Sequence, residues 1–238
     1  DYLNLVFSKY EALYGIKPKE TSRESVRLQV ILDTAHQKTG KQVVVLIDEY
    51  DSPLQHSWKT PEHEGCTEVY RSVFSVLKLK GNVLRFVFIT GITKFTQISL
   101  FSVLNHLTNI SFLPQFAPLC GITEEEMTVN FAPELEALAD KMECSIEEAH
   151  DKLKTYYDGY HFSDENMTDI YNPFSLLNAL SQLRLRNYWI SSGATSMLNK
   201  FVNNMELRLH DFEDCYIDKD TLETSDVIEG GAELFLYQ

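Results

Sequence analysis

Apolar positions recur at helical spacing from the start of the chain. Leu3, Val6, Phe7, Tyr10, Leu13 and Tyr14 fall on one side of a helix over residues 1–14, and Gly15 stops the pattern. A second helix is predicted from a cap at Thr21 or Ser22 to about Lys38, with Val26, Val30 and Ile31 as its apolar side and Gly40 as its end. The periodicity then changes. Val43-Val44-Val45-Leu46-Ile47 is a continuous aliphatic run, which reads as a strand buried on both faces, as in a parallel sheet. Residues 52–65 read as a loop punctuated by Pro53, Pro61 and Gly65. A helix from about Cys66 to Leu79 carries Val69, Val73, Phe74, Val76 and Leu77 as its core stripe. Gly81-Asn82 turns the chain into a second buried strand over 84–90, which Gly91 breaks.

Further along, a helix is expected over 100–107, then a short apolar piece over 116–120 that reads as a third strand. Thr123-x-x-Glu126 has the form of a capping box opening another helix. Alternating helices and strands indicate a parallel sheet with crossover helices. After about residue 122 the composition changes, so two domains are expected, 1–122 and 123–238. Segments 123–157 and 173–206 read as helices, and Asn172-Pro173 reads as a helix start. Between them Tyr156-Tyr157-Asp158-Gly159-Tyr160-His161-Phe162 is unusually aromatic. With few Lys or Arg nearby, it reads as a packed inter-domain joint rather than a surface for stacking bases.

Composition narrows the classes. With 238 residues, 44% of them hydrophobic, the chain can bury one large core or two small ones. A net charge of −14 repels nucleic-acid phosphates, so DNA and RNA are not expected partners of this segment. Four cysteines without a CxxC pair fit neither a zinc knuckle nor a disulfide scaffold, and free thiols point to a reducing compartment. No apolar run is long enough to span a bilayer, and no signal peptide opens the chain, so a cytoplasmic protein with no membrane partner is expected. The start at Asp1, without Met, suggests a fragment.

The chemistry concentrates where the first strand ends, in Asp48-Glu49-Tyr50-Asp51-Ser52-Pro53. Carboxylates at the carboxyl end of a buried parallel strand sit where open α/β sheets bind ligands. This is the layout of a Walker B strand, with Asp48 in a Mg²⁺ shell and Glu49 polarising the attacking water of a phosphoryl transfer. Asp51 is a further candidate for the cofactor site, although it could equally N-cap the next turn. The second strand ends in Thr90-Gly91-Ile92-Thr93-Lys94, where Thr90 could sense a terminal phosphate and Lys94 neutralise it. Gly40-Lys41 is not a phosphate loop: position 35 is Ala and position 42 is Gln, and the pair closes a helix rather than opening one. His56 and His63 share a loop and are weak metal-ligand candidates, whereas His161 reads as a packed core residue. No Gly-x-Ser-x-Gly supports a hydrolase nucleophile.

Taken together, the chain resembles the AAA-ATPase-like family of bacterial P-loop ATPases. The resemblance rests on 46–54 (Leu-Ile-Asp-Glu-Tyr-Asp-Ser-Pro-Leu), 88–95 (Phe-Ile-Thr-Gly-Ile-Thr-Lys-Phe) and 99–107 (Ser-Leu-Phe-Ser-Val-Leu-Asn-His-Leu). Cys120-Gly121-Ile122-Thr123, Tyr157-Asp158-Gly159-Tyr160-His161-Phe162, Tyr171-Asn172-Pro173-Phe174-Ser175, Tyr188-Trp189 and Ser192-Gly193 continue it in family order. The resemblance implies an α/β fold: an incomplete parallel sheet of the P-loop NTPase type (ASCE/AAA-like) with crossover helices, then a helical lid and a winged-helix-like segment. It implies binding and hydrolysis of ATP with Mg²⁺, with Asp48 aligned to the metal-associated acid, Glu49 to the water-activating acid, and Thr90 and Lys94 to the phosphate-sensing strand end. The family's Arg-Arg-Phe-Gly-Lys-Ser type phosphate loop is expected upstream of Asp1, and a PD-(D/E)xK nuclease-like domain often lies further along. Without that loop, this segment alone is expected to be inactive.

Two other readings stand beside an ATPase fragment. One is an ATPase-derived module for a protein partner or an oligomer, in which nucleotide is irrelevant. The other is a metal-dependent phosphohydrolase using Asp48, Glu49 and Asp51, which needs a further ligand across the cleft.

Overall fold

A computed structural model describes residues 2–17, 22–57, 59–91, 106–163 and 165–188. The chain forms two compact units, which part between Thr108 and Asn109, upstream of the compositional change near 122. Among the described residues, no helix is long and apolar enough to cross a membrane.

The first unit opens with α1 (Tyr2–Tyr14) and α2 (Glu24–Thr39). Arg27 of α2 fastens the two helices together. Its guanidinium donates to both carboxylate oxygens of buried Glu11, each at 2.7 Å, and also reaches the Asn4 side chain and the Ser8 hydroxyl. The start of α2 differs from expectation: Arg23 is the N-cap residue and supplies no side-chain cap. Its buried side is also rotated from the expected one. Ile31, Leu32 and Ala35 are buried, while Val26 and Val30 face solvent. Helical periodicity permits both stripes, and packing against the neighbouring elements selects one.

Strand β1 (Val43–Ile47) pairs in parallel with β2 (Leu84–Ile89), with Val43 opposite Leu84 and Ile47 opposite Ile89. Between them run α3 (Ser52–Ser57), in place of the expected loop, and α4 (His63–Leu79). One face of this pair is covered. Val45, Ile47, Leu84, Val87 and Ile89 pack on Tyr50, Leu54, Tyr70, Phe74 and Leu77. On the other face Val44, Leu46 and Phe86 are 51%, 69% and 53% exposed, and Phe86 stacks on Phe88 with ring centroids 6.1 Å apart. The expectation of a strand buried on both faces is thus corrected for the described residues. A continuous apolar run shows that both faces are apolar, not that both are covered.

The third strand expected over 116–120 is absent. Pro114–Phe116 is a 3-10 turn, and turns continue through 120, with Leu119 donating to the Phe116 carbonyl. Pro118 lacks the N–H that a central ladder needs. The helix expected over 100–107 falls almost wholly outside the described residues, as do most of its flanks.

The second unit contains β3 (Ile122–Thr123), α5 (Glu124–Asn130), α6 (Ala132–Met142), α7 (Ile146–Tyr157), β4 (Ile170–Tyr171) and α8 (Pro173–Gln182). The capping box at Thr123 and Glu126 forms as expected, and Ser145 with Glu148 forms a second one. Strands β3 and β4 pair antiparallel, not as part of a parallel sheet. Asn172 caps α8 by accepting from the Ser175 amide at 2.9 Å. That helix ends at Gln182 rather than continuing towards 206: Leu183 adopts φ 49° and the Arg184 amide returns to the Ala179 carbonyl. The winged-helix-like segment expected near the end of the chain lies outside the described residues. Of the aromatic run, Tyr157 packs in this unit's own core, with Tyr171, Met127, Leu138, Leu153 and Leu176, while Tyr156 and Tyr160 are exposed. His161 is not a core residue: it is exposed and pairs with Asp169 at 2.5 Å.

Candidate functional site

The parallel register sets the geometry of the site. Because Ile47 lies opposite Ile89, the next residues of both strands, Asp48 and Thr90, emerge at the same carboxyl edge. The ladder continues past the named strands: the Thr90 amide donates to the Ile47 carbonyl at 2.9 Å, and the Tyr50 amide to the Thr90 carbonyl at 3.0 Å. The Thr90 hydroxyl donates to Asp48 Oδ1 at 2.5 Å, and the same oxygen accepts from the Glu49 amide at 3.0 Å. Asp48 and Glu49 are exposed. Glu49 has φ 49°, a left-handed conformation that costs an L-residue about 1–2 kcal/mol. Such strain in a non-glycine residue recurs at functional sites.

Asp51 differs from Asp48 and Glu49 in burial. It is 1% exposed, and its carboxylate accepts from the Gln55 side-chain amide at 2.6 Å. It also raises the proton affinity of Tyr70: burial first, then Cys66, Asp51 and Tyr50, push that phenol well above its ordinary value, so it stays protonated at neutral pH. Of the five residues singled out by sequence, the structure brings Asp48, Glu49 and Thr90 together. It turns Asp51 into the interior, and Lys94 lies outside the described residues.

Sequence reasoning missed the close approach at Gly91. A Cβ there would sit 2.5 Å from the Tyr50 ring and 2.6 Å from Asp51 Oδ1, so only glycine fits without displacement. The glycine at the strand end was the available signal; its neighbours could be found only from the fold.

The donor set at this edge fits a Mg²⁺ ion shared with a phosphate. Among the described residues no cluster of three His, Cys, Asp or Glu could cage a metal. Mg²⁺ needs no such cage: it takes one or two carboxylates, waters and substrate phosphates. Asp48 keeps one carboxylate oxygen outside the bonds to Thr90 and Glu49. Of the three acids that a hydrolase centre would use, Asp51 is buried while Asp48 and Glu49 are exposed. His56 and His63 satisfy local partners, with His56 Nδ1 at 2.7 Å from the Ser52 carbonyl and His63 Nδ1 at 3.0 Å from the Ser57 hydroxyl. Gly40 caps the end of α2 at φ 66°, its amide bound to the His36 carbonyl, so it presents no phosphate cradle.

A second polar cluster lies in the other unit, and sequence reasoning did not find it. Glu124 accepts from the Tyr171 hydroxyl at 2.7 Å and lies 2.5 Å from His150 Nε2. Burial alone would raise the Glu124 carboxyl, but the Tyr171 and His150 hydrogen bonds outweigh it and hold the group below its ordinary value. The Tyr171 phenol is pushed far up, by burial first and then by Glu124. Both oxygens of Glu124 are committed within the unit.

Residues 1–101 match a family model described as predicted AAA-ATPase, AAA-ATPase-like. The chain is also similar to an uncharacterized protein in the vnfD 5' region of Azotobacter chroococcum mcd 1, with 35% identity over 180 residues, or 75% of this chain. It spans 32% of that relative's length. No solved structure matches. The matched residues include both strands and the acidic turn between β1 and α3, so the similarity to the AAA-ATPase-like family covers the candidate edge.

Proposed function

We propose that this segment carries the acidic half of a Mg²⁺-dependent ATP-hydrolysing site, completed by a phosphate loop from residues upstream of Asp1. The observation that carries this reading is the Thr90–Asp48 hydrogen bond at the shared end of two parallel strands. An exposed acid pair and a hydroxyl at that edge match what phosphoryl transfer asks of a protein, which is positioning and charge stabilisation rather than covalent chemistry.

In this reading Asp48 holds the metal shell, with Thr90 fixing the carboxylate's rotamer. Glu49 orients and polarises the attacking water. Thr90 would also register the terminal phosphate, and Lys94 would supply compensating positive charge. A bound Mg²⁺ would neutralise charge on the phosphate oxygens. The free thiols of Cys66, Cys120 and Cys144 agree with a reducing, cytoplasmic setting.

The test is titration calorimetry on the protein extended upstream to include the phosphate loop. ATP should bind only with Mg²⁺ present, and Glu49→Gln should keep that binding while turnover falls about 10²–10⁴-fold. An extended protein that binds no nucleotide would overturn the reading and favour a scaffold for protein partners.

A further inference from the structure

We propose that buried Asp51, braced by Gln55 and seated against Gly91, is a positioning residue that holds the Glu49 turn in register with Thr90. The inference deepens the ATPase reading and rests on it for its catalytic consequence, but its structural half stands on contacts already described.

Glu49 occupies a conformation that its own side chain disfavours. A single strained residue persists only where its surroundings over-determine it. Before it, Asp48 Oδ1 accepts the Glu49 amide. After it, three further constraints hold the turn. The Tyr50 amide is tied to the Thr90 carbonyl. The Glu49 carbonyl accepts from the Ser52 amide at 3.0 Å, closing the turn. Asp51 directly precedes α3: its carbonyl accepts from the Gln55 amide at 3.0 Å while its carboxylate accepts from the Gln55 side chain.

The decisive contact is with the second strand. Asp51 Oδ1 and the Tyr50 ring occupy the space where any side chain at position 91 would begin. Gly91 directly follows Thr90. The Asp51 carboxylate therefore packs against the backbone that carries the phosphate-sensing hydroxyl, while its own backbone lies two residues from the water-activating acid. One buried group thus touches the supports of both strand ends. A carboxylate buried this deeply is costly to keep unless it is well bonded, and the Gln55 side chain supplies one of its bonds. Asp51 is 1% exposed, so the proposed role is exerted through Glu49 and Thr90.

The test uses the full-length protein with Gly91→Ala, Asp51→Asn and Gln55→Met, the last two removing charge or one hydrogen bond with little change in volume. Amide hydrogen exchange at Glu49 and Tyr50 should quicken at least about tenfold in Gly91→Ala and Asp51→Asn, and less in Gln55→Met. Turnover number should fall about 100-fold, as expected for a reacting group displaced by about an ångström, with KM for ATP within about twofold. A general loss of packing would instead quicken exchange across the whole unit. Wild-type exchange at Glu49 and Tyr50 in the folded variants overturns the proposal, as does faster exchange with unchanged turnover. If the wild-type protein binds no ATP, the ATPase reading fails on that measurement, and the exchange data still decide whether Asp51 and Gly91 hold the turn. Should Gly91→Ala fail to fold, Asp51→Asn and Gln55→Met carry the test.

Discussion

Asp48 and Glu124 are both acids placed directly after a strand, yet the two units treat them differently. In the second unit Glu124 has one oxygen on the Tyr171 hydroxyl and the other on His150, and Tyr171 is fully buried. In the first unit Asp48 shares one oxygen between Thr90 and its neighbour's amide and stays exposed. Glu11 resembles Glu124, with both oxygens spent on Arg27. An acid whose bonding capacity is consumed within the fold is a structural element. One left partly open at a strained strand end is available for chemistry. Charge and position in the sequence do not separate the two cases; the accounting of hydrogen bonds does.

The sharpest way to break this contrast is to remove the committed acids. Glu11→Ala should cost about 3–5 kcal/mol, because it strands the Arg27 charge against Phe7 beneath α1. Chemical denaturation of the variant measures it. Next, Glu124→Ala should cost the second unit about 1–3 kcal/mol, the penalty for leaving the buried Tyr171 hydroxyl without its acceptor. The same cluster predicts a pH dependence. The folded Glu124 carboxyl titrates below its ordinary value of 4.5, so its contribution is present above that pH and is lost as pH falls through the folded value. For Tyr171, raised above its ordinary 10.0, the contribution is present below pH 10 and is lost as pH rises beyond it. Melting temperature against pH should therefore fall at both extremes in wild type and flatten at the acid end in Glu124→Gln. The smallest effect belongs to the open acid: Glu49→Gly should be neutral or stabilising by up to about 1 kcal/mol, because glycine adopts φ near 49° without strain. A clear loss of stability there would mean that Glu49 supports the fold.

Much of the candidate edge was legible in the residues. The run Val43–Ile47 ending in two acids, and a second strand ending in Thr90, were enough to expect parallel neighbours with their chemistry at one edge, and β1 and β2 are parallel partners. Helix starts written in local chemistry, Thr123 with Glu126 and Asn172 with Pro173, were also readable, because a cap involves residues within one turn. What could not be read depended on contacts distant in sequence. Asp51 looks like part of the acidic run, and only the proximity of Gly91 and Tyr70 reveals its interior position. The Glu124–His150–Tyr171 cluster joins three elements with no shared motif. At 116–120 the apolar character suggests a strand, but Pro114 and Pro118 favour turns. On α2 two apolar stripes compete, and tertiary packing decides between them.

In the proposed reading Asp48 is kept for chemistry and not for the fold. Its most direct test is Asp48→Asn in the full-length protein, with ATP turnover and melting temperature measured on the same sample. Turnover should be lower by about 100-fold or more, with stability within about 0.5 kcal/mol of wild type. Undiminished turnover, or a stability loss as large as that of Glu124→Ala, would contradict it.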